Sequence, residues 1–192
     1  MKNFKNSGLN LVLIAGLLLL IQGCLSVETK EYYYEINPDG SGTGKITYYN
    51  IVSEEDDEAN VSFSDFGELI DDYLLGGTFE SENPSLTVIT KDLFERDGVL
   101  VGEVEFTFEN ADSIGFWRDP SCSCSGYNYY LGSLSETFIS ANGTYLGENR
   151  ELPIISWDSD ATQFQFTTRV KDDMSDAHNL LPLYNTWLET RD

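Results

Sequence analysis

Histidine and cysteine are scarce in this chain of 192 residues, which contains one histidine and three cysteines. A hydrolytic triad needs a general base, but His178 lies beside Asp176 just before the last predicted helix, where we expect a surface or helix-capping residue. Histidine and cysteine together are also too few for a zinc site. The sequence lacks the G-x-S-x-G, H-E-x-x-H, phosphate-loop and G-x-G-x-x-G motifs. We therefore expect no enzymatic activity, no bound metal and no cofactor.

Basic residues are scarce as well. The chain has 11 lysines and arginines against 33 aspartates and glutamates, which gives a formal net charge of −22. Such a surface repels phosphate groups, so nucleic acids and anionic lipid headgroups are poor partners. A pair of carboxylates acting in glycoside cleavage stays open as an alternative, although no motif marks such a pair.

The N-terminus has the pattern of a secretory signal, in which a basic segment precedes an apolar run over residues 11–21 that is too short to span a bilayer. The run is followed by Gly23 and Cys24, and this resembles the lipobox of bacterial lipoproteins. The resemblance implies that residues 1–23 are removed and that Cys24 carries a diacylglycerol and an acyl chain as a membrane anchor. Leu25 is not the aspartate that retains some lipoproteins in the inner membrane. We therefore expect a cell-envelope protein of the outer membrane, facing the periplasm or the surface.

The other two cysteines, Cys122 and Cys124, lie in a loop rich in serine and glycine. Outside the cytoplasm, a disulfide is the default state of such a pair. A bond across one intervening residue closes a very small loop, so it would be strained and easily reduced. The alternative is a redox or soft-metal site, because two thiolates could bind copper(I) or exchange with a partner disulfide.

The stretch INPDGSGTGKI, residues 36–46, matches the first half of an EF-hand loop, with Asp39 as a candidate calcium ligand. The match ends there, because Gly44 occupies the usual β-branched position and Tyr48 the position of the bidentate glutamate. Aromatic and β-branched residues flank the stretch on both sides, which is typical of a hairpin. We predict a turn, with a calcium-binding surface module as the alternative. The acidic run over residues 53–60 is predicted to be a solvated loop.

Hydrophobic periodicity predicts four hairpins and two helices. The hairpins turn at residues 37–42, 96–98, 142–143 and 158–160, the central helix follows Ser62 as its cap and the last helix starts near Pro182. Because strands and helices do not alternate, we predict an α+β fold in which antiparallel hairpins form a sheet with one central and one C-terminal helix packed on a face. We expect the lipidated cysteine and a short tether over residues 24–30 and a single acidic domain over residues 31–192, with subdomains 31–117 and 127–192 as an alternative.

The first half of the mature chain carries a lipobox cysteine, a strand that ends in Asn37-Pro38-Asp39-Gly40, a helix, and a strand pair with Asp97-Gly98. This order resembles the N-terminal domain of LppM-like bacterial lipoproteins over roughly residues 24–110. The resemblance implies a non-enzymatic, lipid-anchored envelope protein that interacts with envelope lipids, and it implies no catalytic residues. We therefore expect a binding protein whose partner is an envelope lipid, a glycan or an envelope protein.

Overall fold

A computed structural model describes residues 25–55, 60–119, 121–122, 125–147 and 152–191 of this chain. The predicted signal peptide, Cys24 and Cys124 lie outside these residues, so the lipobox and the pairing of Cys124 stay predictions. Strands make up 45% of the structure and helices 22%, and the helices are short. The predicted antiparallel sheet with a few helices is therefore confirmed at this level.

The described strands form two antiparallel sheets. In chain order they are β1 (Leu25–Ile36), β2 (Gly42–Glu54), β3 (Thr87–Arg96), β4 (Val99–Phe108), β5 (Phe116–Trp117), β6 (Asn128–Tyr130), β7 (Thr137–Ala141), β8 (Thr144–Tyr145), β9 (Ile154–Ser156), β10 (Gln163–Arg169) and β11 (Ala177–Asn179). The large sheet has the order β3-β4-β2-β1-β10-β7, and β11 pairs with the end of β2 beyond β4. The small sheet has the order β5-β6-β9-β8.

The helices lie mainly between β2 and β3 and at the end of the chain. They are α1 (Ser62–Glu68), a π-helix that continues it (Leu69–Leu74), α2 (Thr78–Glu82), two 3-10 turns (Ala111–Ile114 and Leu131–Ser133) and α3 (Leu181–Glu189). The central helix begins at Ser62 and the last helix at Leu181. The predicted cap is wrong, because Ser62 is the first helical residue and its amide and hydroxyl both donate to the Asn60 side chain.

One half of the inner face of the large sheet is covered by the small sheet. Along β1 and β10 the side chains alternate, and the rings on one face pack against the small sheet. We call this set the aromatic core: Tyr32, Tyr34, Phe106, Phe108, Phe116, Tyr127, Tyr129, Trp157, Phe164 and Phe166. The rings make stacked and edge-on contacts, such as the stack of Tyr32 on Phe166 with centroids 4.5 Å apart.

The other half of the inner face is covered by helices. We call this set the aliphatic core: Val27, Ile51, Phe66, Leu69, Ile70, Leu100, Leu180, Leu181 and Tyr184. The Tyr184 hydroxyl donates to the backbone oxygen of Leu93, 2.6 Å away, which ties α3 to β3. Both cores share the large sheet, and β10 of the second half pairs with β1 of the first. The alternative division into subdomains 31–117 and 127–192 stays a prediction, but β1 and β10 pair across that division.

Two of the four predicted hairpins are wrong. The hairpins at Asp39 and at Asp97-Gly98 form as expected, but β7 pairs with β10 and β8 pairs with β9, so the chain passes between sheets at Asn142. The Asn142 side-chain oxygen accepts from Trp157 Nε1 at 2.6 Å and from the Gln165 amide at 2.9 Å. One asparagine thus joins the two sheets. The predicted pairing around residues 158–160 fails for the same reason, because β9 and β10 belong to different sheets.

The predicted tether over residues 24–30 is also wrong for its described part. Strand β1 begins at Leu25, which pairs with Ser53, and Lys30 pairs with both Tyr48 and Thr168. Polar residues dominate this segment, but their alternation with Val27 allows one face to be buried while the other meets solvent. The first described residue therefore already belongs to the folded domain.

Candidate functional site

A cavity of about 690 Å³ lies between the inner face of the large sheet and the central helix. Strands β1, β2 and β4 supply one wall, and the helical segment of residues 69–83 supplies the other. Its aliphatic lining consists of Leu25, Val27, Ile51, Leu69, Leu74, Leu93, Val104 and Val170. The volume is within the range of sites for small molecules, which are mostly apolar with a few polar groups. Such a cavity can accommodate an apolar chain.

The polar groups that line the cavity carry both signs of charge. Two lysines are present, and each is already neutralised: Lys30 Nζ lies 2.7 Å from Glu136 Oε1, and Lys91 Nζ lies 2.9 Å from Glu80 Oε1. The lining residues also include Glu82, Asp92 and Glu103, and the Glu103 carboxylate is paired at 3.3 Å with Lys45, which lines the depression on the opposite face of the sheet. The charged part of the lining is therefore mixed, with more negative than positive groups, and it does not favour an anionic headgroup.

A buried carboxylate binds Lys30, one of the two lysines of the lining. The side chain of Glu136 is only 4% exposed. It accepts from Lys30 Nζ, from the Tyr32 hydroxyl at 3.0 Å and from Thr168 Oγ1. Three donors thus saturate the carboxylate, as a buried charge requires. Glu136 joins the segment before β7 to strands β1 and β10, and this arrangement indicates a structural role for it.

The tyrosines around the cavity are held in the neutral form. Burial, reinforced by the Glu136 carboxylate, raises the pKa of both Tyr32 and Tyr48 well above the ordinary value. Burial and the neighbouring Glu82 raise the pKa of Tyr73 to about 12. Burial and Glu136 likewise raise the pKa of Tyr129 to about 12. At neutral pH these phenols are hydrogen-bond donors, and none is activated as a nucleophile.

Asp39 lies in the β1–β2 turn and bonds within it. Its Oδ1 accepts from the Ser41 amide at 3.0 Å and from the Ser41 hydroxyl at 2.7 Å, and these bonds lower the pKa of the carboxyl. Gly40 has a φ of +90°, and its amide donates to the oxygen of Asn37. Within the described ranges, no group of three or more His, Cys, Asp and Glu side chains is arranged to hold a metal ion. The prediction of a turn is confirmed, and calcium binding by Asp39 stays an alternative.

His178 lies in β11, where it pairs with Ser53 of β2. Its Nε2 is 3.2 Å from Glu55 Oε1. The expectation of a surface residue is met, but the capping role belongs to Asn179, whose Oδ1 accepts from the Leu181 amide at 2.8 Å. His178 is not among the residues that line the cavity.

Cys122 is disulfide-bonded. It lies in a turn in which its amide donates to Asp119 and its carbonyl accepts from Ser125. Both other cysteines lie outside the described residues, so the pairing with Cys124 and the redox or soft-metal hypothesis stay predictions. The loop does not contribute to the cavity lining.

The opposite face of the large sheet forms a second, wider depression of about 860 Å³. Its lining is mainly polar and includes Tyr33, Lys45, Glu105 and Gln165. Ile89 also lines this depression, and its apolar side chain is exposed to solvent. This face offers hydrogen-bonding groups and little apolar enclosure, so of the two concave regions the inner cavity is the better candidate for a lipid.

No protein-family model, no curated protein and no solved structure matches this chain. The resemblance of its first half to LppM-like lipoproteins therefore stays a prediction. Among the helices of the described segments, none is long and apolar enough to cross a membrane.

Sequence reasoning found the helix and strands that enclose the cavity but missed the cavity and Glu136. Glu136 is one of 33 acidic residues and carries no motif. Its three partners lie 32 to 106 positions away along the chain. One signal was available: Thr168 and Lys30 interrupt the apolar face of their strands, and buried polar side chains need a partner.

Proposed function

We propose that this chain is a non-catalytic, lipid-anchored protein of the bacterial cell envelope that binds an acyl chain of an envelope lipid in the inner cavity. In this proposal, Cys24 carries the anchor and the outer membrane is the location. The central and C-terminal helices, packed on one face of the sheet in a single α+β domain, hold the cavity in shape. The observation that carries the proposal is the aliphatic cavity of about 690 Å³ between sheet and helix.

The charged residues that line the cavity restrict which lipid headgroups can bind there. Both lysines of the lining are paired with glutamates, Glu103 is paired with Lys45, and Glu82 and Asp92 are the other acidic residues of the lining. A phosphate with no compensating charge would meet net repulsion there. A lipid with a zwitterionic or uncharged headgroup fits both the apolar walls and this mixed-charge lining.

The proposal is tested by native mass spectrometry of the mature protein extracted from its own envelope in mild detergent. We expect the wild-type protein to retain a lipid and Leu74→Trp, which fills the cavity, to lose it. Leu75→Trp is the matched control, because Leu75 is exposed next in the chain and lies outside the cavity lining. Retention of the same lipid by Leu74→Trp, or no lipid on the wild-type protein, would contradict the proposal.

A further inference from the structure

At the end of the large sheet where β1 begins, no flexible linker separates the first strand from the predicted anchor, because β1 starts at Leu25, the residue after Cys24. Leu25 pairs with Ser53, and Val27 pairs with Ile51, so the strand is fixed from its first described residue. Consecutive Cα atoms are about 3.8 Å apart, so an acylated Cys24 would hold this end of the domain at the membrane surface. This step rests on the anchor of the proposed function. We call the end formed by Leu25, Ser53, Glu54, Phe63 and β11 the anchor end.

An exposed aromatic side chain lies at the same end. Phe63 continues the apolar stripe of Phe66 and Ile70 by one helical turn, but it is 82% exposed, whereas those two are buried. Two residues after Phe63, Asp65 accepts a hydrogen bond of 2.6 Å from Ser53, the strand partner of Leu25. The first turn of α1 is thus fixed beside the start of β1, and its apolar stripe extends past the aliphatic core.

Phe63 has the largest exposed fraction of the large hydrophobic side chains in the described residues. Leaving a phenylalanine ring in water is unfavourable, whereas an aromatic ring beside a lipid anchor can enter the membrane interface. We propose that the anchor end is a membrane-contact surface, with Phe63 inserted into the interface of the bilayer that holds Cys24. The partner is a lipid surface and not a second protein, because the anchor would bring this surface to the bilayer.

The charges at the anchor end determine whether an anionic or a zwitterionic bilayer can approach it. Glu54 and Glu55 lie at the end of β2, and Asp172, Asp173 and Asp176 lie between β10 and β11. The carboxylates of Glu54, Glu55 and Asp172 have close partners in Lys171, His178 and Arg169, at 3.0 Å, 3.2 Å and 3.6 Å, which leaves Asp173 and Asp176. The surplus is negative, so an anionic bilayer repels this end and a zwitterionic one does not.

This orientation places the cavity next to its source of ligand. Leu25, Ser26 and Val27 line the cavity and also form the start of β1 at the anchor end. A lipid can therefore move from the bilayer to the cavity along the first strand, with little exposure of its chain to water. A flexible tether would remove this advantage, because the domain could then turn away from the surface.

The test uses full-length acylated protein in phosphatidylcholine vesicles, with and without brominated acyl chains that quench fluorescence. An environment-sensitive fluorophore is attached to Phe63→Cys or, as the matched control, to Ile89→Cys. Ile89 is also exposed, at 57%, but it lies near the opposite end of the sheet, beside Val88, which pairs with Phe106. The parent protein, treated with the same dye, corrects for labelling of native cysteines.

We expect severalfold stronger quenching at position 63 than at position 89. We also expect weaker quenching at position 63 when phosphatidylglycerol replaces part of the phosphatidylcholine. Equal quenching at the two positions, in protein whose intact mass shows an acylated Cys24, would overturn the contact surface while leaving the anchor in place. An intact mass without acyl groups would instead overturn the anchor, and the inference with it.

Discussion

The two halves of the inner sheet face are covered in different ways. The aromatic core lies under the small sheet, and its rings fill the space with stacked and edge-on contacts, such as Phe116 against Phe164 at 5.3 Å. The aliphatic core lies under short helical segments, one of which is a π-helix, and the cavity occurs on this side. π-helical segments are rare and occur frequently at functional sites. The comparison indicates that the aromatic half stabilises the fold and the aliphatic half leaves room for a ligand.

The largest effect should follow from removing a ring of the aromatic core. Phe166 is 2% exposed and contacts Tyr32 and Tyr129. We expect Phe166→Ala to lower the free energy of unfolding by about 3–5 kcal/mol, and Leu69→Ala beside the cavity to lower it by about 2–3 kcal/mol. Denaturant unfolding of both variants measures the difference. An equal loss at the two positions would contradict the contrast between a filled and an open half.

A smaller effect is expected at Glu136, which lies where the two halves meet. Glu136→Gln keeps acceptors for Tyr32 and Thr168 but leaves the Lys30 ammonium without its counter-charge. We expect a loss of about 2 kcal/mol, below the usual figure for a buried pair because Lys30 is partly exposed. Adding Lys30→Met should recover part of the loss in a double-mutant cycle. Glu105→Gln on the open face is the control, and a loss there as large as that of Glu136→Gln would refute a special role for Glu136.

The smallest effect is the contribution of Tyr129 to the loss of stability at alkaline pH, to which Tyr32, Tyr48 and Tyr73 also contribute. Tyr129 has a pKa of about 12 in the folded chain, above the value of about 10 expected when unfolded. The folded state then binds more protons than the unfolded state between these values, so stability is unchanged below pH 10 and falls as pH rises toward 12. One such group accounts for about 1 kcal/mol at pH 11. Unfolding at pH 8 and pH 11 measures the loss, which should be smaller in Tyr129→Phe and unchanged in Tyr130→Phe, whose ring is exposed.

Local features of this fold were predictable and long-range ones were not. The turn at Asp97-Gly98 was predicted correctly. Both residues adopt positive φ, which aspartate and glycine tolerate, and the strands on either side of the turn pair with each other. The Asn142-Gly143 pair gives the same signal, but its outcome depends on Trp157 and Gln165, which bind the asparagine from different sheets. The residues of the turn alone therefore do not predict which strands pair beside it.

The same distinction applies to the candidate site. The apolar stripe of the central helix predicts a buried wall, and Phe66 and Ile70 are buried. The stripe cannot show that Phe63 extends past the sheet, because the length of the opposing surface is set by other strands. Nor can it show a cavity, which depends on how closely the helix approaches β4. The tether over residues 24–30 was mispredicted because polar residues in a half-exposed strand look like a linker.

The position of β1 also governs how the chain folds. The first strand lies at the centre of the large sheet, and Thr29 pairs with Arg169, about 140 residues later. A central strand cannot complete its hydrogen bonds until that distant partner has been synthesised, and contacts so far apart in sequence form slowly. The hairpin of β1 and β2 can form early, but β1 gains its second neighbour only after residue 169 has been synthesised, so we expect the large sheet to be completed late in folding.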